Sequence, residues 1–493
     1  MGIDVVWYKR DLRITDHRPL FRACQKGPVV CLYIYEPMLF EHREFDTSRL
    51  AFINQSLREL DEALRDRGGR LVLRVGDAVD VLNRLHNRHR IDRLWSHQET
   101  GSARTFRRDL AVGDWCQRRH IQWTEIPQHG VFRPLPSRDG WADRWHHRMS
   151  TDVQAPVDCI DAVDDIDSGR IRDADDLWLD PSTKDEALPG GESWGHYMLD
   201  SFLDDRGIDY GSDMSSPATA WDGCSRISPY LAFGNLSMRA VWQRTRQRIE
   251  SLRARRDAGQ QLDGPWLSSL SSFESRLHWH GHFMQKLEDE PRIEFENLAR
   301  AYDGIRGDYN DKHLSAWKVG ATGFPMVDAC MRALHAGGWI NFRMRAMLVS
   351  FASYHLWIHW RPTGQHLAKH FLDFEAGIHW PQMQMQSGTT GINSIRIYNP
   401  TKQVEDHDPT GIFIRQYIPE LQSVPDEYIA APWTMPDKVQ RAFGCVIGRD
   451  YPEPIVDGKQ AYKRARDRIW DIKQSPAAKA EADRIYERHG SRK

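Results

Sequence analysis

The chain has 493 residues, 40% hydrophobic and 28% charged, with a formal net charge of −2. That length exceeds what one hydrophobic core serves, so two to three domains are expected. The near-neutral balance excludes a global electrostatic pull toward nucleic acid, and a DNA partner would need a local basic face.

No run of 18 apolar residues occurs, and the start, MGIDVVWYKRDLR, lacks the apolar core of a secretory signal. A cytoplasmic protein without membrane spans is expected. The seven cysteines include no C-x-x-C pair, which points to neither a disulfide framework nor a zinc ribbon. The 19 Trp and 22 His are unusually many. Buried Trp mostly packs, so the count only hints at stacking or redox work.

In chain order, 3–8 (IDVVWY) and 28–35 (PVVCLYIY) are nearly continuous apolar runs, the pattern of buried parallel strands. A helix with apolar residues at helical spacing follows over 48–66 and is stopped by Gly68-Gly69. LVLRV, IDRLWSH and IQWTEI continue the strands, with DAVDVLNRLHNRH and TFRRDLAVGDWCQRRH as intervening helices. Such βαβ alternation predicts a doubly wound parallel sheet over 1–131. No G-x-G-x-x-G follows the first strand, so the usual dinucleotide fingerprint is missing. From 132 to 190 the periodicity dissolves into acidic and turn-rich sequence, read as an interdomain linker on the surface. Over 191–493 helical spacing dominates, with helices expected at 192–206, 237–258, 267–287, 325–336, 338–358 and 459–488, giving an all-α domain.

Several segments carry chemistry. In CSRISPYLAFGNLS the hydroxyls of Ser225 and Ser228 at a helix start could cradle a phosphate or ribityl chain, or could simply cap the helix. SFESRLHWHGHFMQKL sets three histidines around one Trp. Zinc at His278, His280 and His282 is disfavoured, because i, i+2, i+4 spacing spreads them around a helix. Arg343 and Arg345 interrupt an apolar helix and need an anionic partner, for which Asp373 or a ligand phosphate would serve. The stretch 371–403, FLDFEAGIHWPQMQMQSGTTGINSIRIYNPTKQ, is too rich in Gly, Gln, Met and Asn for an ordinary helix and too apolar for a solvated loop. It reads as an irregular functional segment with a kink at 379–381.

Taken as an ordered series, WYKRDLRITDH, GGE at 190–192, CSRISPYLAFGNLS, RLHWHGHF, WKVGATGFPMVDACMRAL, GGWINFRMRAMLVSF, HLWIHWR, RIYNPTKQ and DPTGIFIRQYIPEL resemble the photolyase/cryptochrome family over nearly the whole chain. That resemblance implies an α/β domain followed by a helical domain that cups FAD beneath a pocket for a flipped-out DNA lesion. It implies FAD contacts by Tyr210, Cys224, Ser225, Arg226, Ile227 and Ser228, and by Arg345, Asp373 and Glu375 beside the isoalloxazine ring. Trp279 matches the lesion-stacking tryptophan, and Arg343 and Arg415 match phosphate-gripping arginines, with Asn399 and Lys402 in the adjacent loop.

Departures from the family pattern are equally specific. Arg276 stands where many dimer-repairing members have glutamate, with Glu274 two residues away. His379 replaces the asparagine near flavin N5, and Met383-Gln384-Met385 replaces Trp-Gln-Trp. Of the usual electron-transfer tryptophans only the middle one, Trp360, is matched, and Trp380 is a candidate substitute. Phe342 and Ala346 occupy the paired-histidine positions of (6-4) photolyases, and only Cys224, Cys330 and Cys445 lie in the helical half, so the (6-4) and iron–sulfur branches are disfavoured. A divergent bacterial branch of class I-like, short or new photolyase-like type is expected. The expected function is light-driven repair of cyclobutane pyrimidine dimers in single- or double-stranded DNA by a monomer. A cryptochrome-like photoreceptor is the alternative. No residue assigns a second, antenna chromophore, although Glu99 stands at the end of the fourth strand where one would sit.

Overall fold

The computed structural model describes residues 2–490. Five strands, β1 Ile3–Tyr8, β2 Val29–Tyr35, β3 Leu71–Val75, β4 Ile91–His97 and β5 Gln122–Ile126, form one parallel sheet in the order β3-β2-β1-β4-β5. β1 and β2 are buried at every position, which is why they read as unbroken apolar runs rather than alternating ones. Largely helical structure follows, so the α/β and all-α halves stand in the order the periodicity implies.

The two sheet faces have different fates. Val5, Trp7, Val30 and Leu32 belong to a core confined to the first half. Val6, Tyr8, Cys31 and Tyr35 share their core with the long helix α1 (Thr47–Arg65) and with residues far down the chain. Phe52 of α1 packs on Tyr230 and Phe233, with ring centroids 5.4 and 5.1 Å apart. The Leu12 amide donates to the Phe233 carbonyl at 3.1 Å. Gly234, at φ 68°, lets the two backbones approach, since a Cβ there would lie 2.2 Å from the Arg10 carbonyl oxygen. The halves are therefore welded along one face.

The segment 132–190 is less of a surface linker than its composition suggests. It contains a helix, α2 (Trp141–Met149), whose Trp141 and Trp145 are buried. Trp145 fills a groove left by Gly130 and Gly281, where a Cβ would lie 1.8 and 2.5 Å from the indole. The remainder lies against the sheet edge, where Leu73 donates to the Ser168 carbonyl and Val29 to that of Asp161, both at 2.7 Å.

In the second half, α3 (Met238–Asp257), α4 (Trp266–Asp289) and α5 (Pro325–Gly337) fall where helical spacing places them. Other helices are divided. The 192–206 stretch is α-helical only to Ser201 and widens into a π turn at Phe202–Arg206. The 338–358 stretch starts late, because Gly338 sits at φ 74° and Asn341 is extended; α6 is Phe342–Ser350, followed by a π turn at Phe351–His355. The 459–488 stretch is two helices, α9 (Gly458–Gln474) and α10 (Pro476–His489). Ser475 is extended and its side chain accepts from the Ala478 amide, and Pro476 takes the first helical position, where its missing N–H costs nothing. α7 (Trp360–His370) lies between α6 and α9 in sequence.

The largest correction concerns 371–403. It is not irregular throughout: Ala376–Ser387 is a regular helix, α8, with Pro381 inside it. Tertiary contacts hold it. Gly377 lies against Met284 of α4, where a Cβ would be 2.6 Å from the sulfur, and Gly364 of α7 lies against Trp380. Gln384 faces inward because its amide is fully used: Oε1 accepts from the Leu298 amide at 2.6 Å, and Nε2 donates to the Ile293 and Glu296 carbonyls at 2.9 and 2.7 Å. Among the described residues no helix is long and apolar enough to cross a membrane, and all seven cysteines are free.

Candidate functional site

The short connection from α7 to α8 carries the acidic residues that organise the site. Asp373 is buried and accepts a bidentate pair from Arg345 of α6, Nη1 to Oδ1 at 2.9 Å and Nη2 to Oδ2 at 2.8 Å. The Ser228 hydroxyl donates to the same Oδ2 at 2.5 Å. One carboxylate thus ties the 225–228 segment to the Arg345 helix. Arg345 is oriented further by Nε donating to the Ile340 carbonyl and by the Phe371 ring, 4.2 Å from its guanidinium carbon.

Glu375, two residues on, meets His280 of α4, Nε2 to Oε2 at 2.9 Å. Burial pushes this carboxyl up, but His280, Arg10 and His129 outweigh it and hold Glu375 below the ordinary range. Arg10 reaches in from the loop after β1 and donates from Nη2 to the Phe374 carbonyl at 2.7 Å, between the two acids. The His129 ring lies tilted against His280 with centroids 5.8 Å apart, and burial drives its pKa down to about 3. These three residues complete the site; sequence weighed His280 only as a disfavoured zinc ligand and singled out neither Arg10 nor His129. Arg10 lies inside WYKRDLR and His280 inside RLHWHGHF, whereas nothing local marks His129.

His379 is buried on α8 with Nε2 2.8 Å from the Gly364 carbonyl, and burial lowers its pKa to about 3. It is therefore uncharged, with Nε2–H donating and Nδ1 left as an acceptor. Beside it Trp380 is wholly buried, its indole N–H without a partner among the described residues and its ring under Arg361 at 4.4 Å. Trp360, equally buried, meets Trp380 edge-on at 6.0 Å and donates to Asn297 Oδ1 at 2.7 Å. Met383 is buried and Met385 half-buried on the same helix.

The 224–228 segment lies where Cys224, Ser225 and Ile227 are buried and Arg226 sits at φ 54° over the Trp221 ring. Among the described residues Arg226 Nε is buried without a partner, as are Arg343 Nε, Asn341 Oδ1 and His280 Nδ1. Orphaned polar atoms cost free energy unless a ligand or water completes them, and these four lie on the segments that carry Ser228, Arg345 and the Glu375 partner His280. This donor set fits a flavin dinucleotide: cations and hydroxyls for a diphosphate and ribityl chain, and an Arg–Asp pair for a polar ring edge. Tyr210 is buried edge-on to Phe202 and Phe273; burial and Cys224 push its phenol up, and Arg276 draws it partly back.

Outward from this centre, Trp279 on α4 is 37% exposed and stacks on Phe283 at 5.9 Å. Arg276 is exposed, 5.8 Å from the Phe342 ring, and Glu274 faces Arg246 at 3.5 Å. Arg343 Nη2 donates to Ser215 Oγ at 3.2 Å. Lys402 is exposed and pairs with Asp406 at 3.0 Å. Arg415 is already engaged, donating to Asp426 at 2.7 Å and to the Val424 carbonyl at 2.6 Å. Of the histidines of α4, His280 points away to bond Glu375, whereas His278 and His282, one turn apart, both meet Trp141; His278 also packs on Trp145 and His146, and His282 on Trp279. At the end of β4, Glu99 is buried and bonded to Arg108 at 2.6 Å, so it is not a free loop carboxylate.

Comparison with known proteins agrees with this geometry. Residues 4–139 match the family described as DNA photolyase, and 273–471 match the FAD binding domain of DNA photolyase. The deoxyribodipyrimidine photo-lyase of Streptomyces griseus is 29% identical, covering 94% of this chain and 99% of that one. The cryptochrome DASH of Gloeobacter violaceus is 28% identical, covering 92% and 93%. The structure of a bacterial class III photolyase from Agrobacterium tumefaciens superposes with a TM-score of 0.82 at 25% identity, covering 96% of this chain and 98% of that one. With matches in order across both halves and relatives aligned over nearly their full lengths, the chain belongs to the photolyase/cryptochrome family and carries its FAD-binding domain in the helical half.

Proposed function

We propose that the protein is a DNA photolyase that repairs cyclobutane pyrimidine dimers. The observation that carries this reading is the Asp373 junction, where a single buried carboxylate joins the Ser228 segment to Arg345, with a half-exposed tryptophan one residue from His280. Bound FAD supplies light-driven one-electron donation to a dimer, with the electron returned after the ring splits and no net redox change. The chain's own residues do the rest. Tyr210, Cys224, Ser225, Arg226, Ile227 and Ser228 hold the phosphate and ribityl portion, and Arg345, Asp373, Glu375 and His379 face the ring. Arg345 favours negative charge beside it, more strongly for being partly desolvated. His379 stays neutral at physiological pH and offers an acceptor rather than a second positive charge. Trp279 stacks on the extruded lesion, with Arg276 and Glu274 at the pocket rim. Arg343 and Lys402 meet the DNA backbone. In this reading 1–131 is the α/β domain, 132–190 the connection and 191–493 the flavin- and lesion-binding domain of a cytoplasmic monomer.

The test is direct: the reduced protein, mixed with a dimer-containing oligonucleotide under blue light, restores thymine. Absence of restoration on both single- and double-stranded substrates would overturn the proposal.

A second reading, a photoreceptor signalling through flavin photoreduction, draws on the buried Trp380–Trp360 pair. If these indoles relay electrons, Trp380→Phe slows photoreduction of the oxidised flavin by about tenfold or more, equivalent to about 1.4 kcal/mol in barrier. Repair by chemically pre-reduced protein stays unchanged. Photoreduction at the parent rate in that variant removes the pair from the route.

A further inference from the structure

Independently of the flavin site, three histidines converge where the C-terminal ends of α5 and α7 meet. His335 comes from α5, and His366 and His370 lie one turn apart on α7. One ring nitrogen from each lies within 4.8 Å of the other two. His335 Nε2 and His366 Nε2 are 3.4 Å apart, close to the edge of a tetrahedron with metal–nitrogen bonds of about 2.0–2.1 Å. The ring centroids are 4.2, 4.6 and 5.5 Å apart.

We propose that His335, His366 and His370 bind one divalent transition-metal ion, with zinc the best match to an all-imidazole donor set. All three rings are partly buried. The Lys184 ammonium, held by Asp46 at 2.9 Å, lies 3.4 Å from His370 Nδ1, so ligation by His370 uses its other ring nitrogen or displaces this contact.

Placement gives the site a purpose. His335 is three residues before Gly338, whose carbonyl accepts from the Leu372 amide at 2.9 Å, and His370 is three residues before Asp373. A bound ion would clamp α5 to α7 where the chain enters the acidic connection, next to the contact of Lys184, in the connecting segment, with Asp46 of the α/β domain.

The test uses the full chain, stripped with a chelator and titrated with cobalt(II). One equivalent gives the intense visible absorption of four-coordinate cobalt, and one equivalent of zinc bleaches it. His366→Ala on α7 and His335→Gln on α5 each abolish the band while the far-ultraviolet circular dichroism and flavin absorption of the parent persist. The absence of a band in the parent, or its retention in both folded variants, overturns the proposal.

Discussion

Asp373→Ala is expected to lower flavin affinity by about 30- to 150-fold, corresponding to about 2–3 kcal/mol. The carboxylate holds three donors, two on Arg345 and one on Ser228, and is itself buried. Truncation leaves the guanidinium facing an apolar methyl, with only the Ile340 carbonyl and the Phe371 ring in compensation. Removing one member of a fully buried pair costs about 3–5 kcal/mol; the Arg345 side chain retains 24% exposure, so a smaller cost, about 2–3 kcal/mol, applies. Asp373→Asn keeps an acceptor for Ser228 but loses the charge, and falls between parent and alanine. The readout is flavin absorbance per chain after purification, followed by fluorescence titration of the stripped protein. Unchanged affinity in Asp373→Ala, with the fold intact, would remove Asp373 from the site.

Why the site was partly legible follows from the range of each interaction. Strands β1 and β2 were readable because burial on both faces leaves a mark in consecutive residues. Chemistry asked for an anion beside Arg343 or Arg345, with Asp373 or a phosphate as candidates, and the family resemblance narrowed this to Arg345 with Asp373. α8 was missed because local sequence speaks against it: Pro381 lacks an N–H, and Gln and Gly weaken the pattern. The decisive support comes from Met284, Ile293 and Leu298, some ninety residues away, which nothing in 376–387 announces. Likewise α2 hides in acidic, turn-rich surroundings and is fixed by Gly130 and Gly281 making room for Trp145. The break between α9 and α10 was in plain view as Ser475-Pro476, a cap followed by a first-turn proline, which sustained helical spacing on either side obscured. His129 and Arg10 belong to the site only because the two halves share a core, a fact of the fold rather than of any motif.

Trp279→Ala is expected to weaken binding of a dimer-containing oligonucleotide by about 5- to 150-fold, the 1–3 kcal/mol that an aromatic platform contributes to one stacked base. The indole is preorganised for this, with one side on Phe283, an edge toward His282, and more than a third of its surface open. It makes no bond to Asp373, Glu375 or Arg345, so flavin content remains that of the parent. The loss is selective: undamaged oligonucleotide, whose bases remain stacked in the strand, binds as before. Trp279→Phe retains part of the effect because a smaller ring still covers one face of the base. Arg343→Ala should behave differently, weakening damaged and undamaged DNA alike and reducing the salt slope by about one. Arg415→Ala should alter that slope less, because Asp426 already balances its charge. Competition binding at several salt concentrations, with and without the lesion, separates the three variants. Equal losses on damaged and undamaged strands in Trp279→Ala would assign the indole to general DNA contact rather than to the lesion.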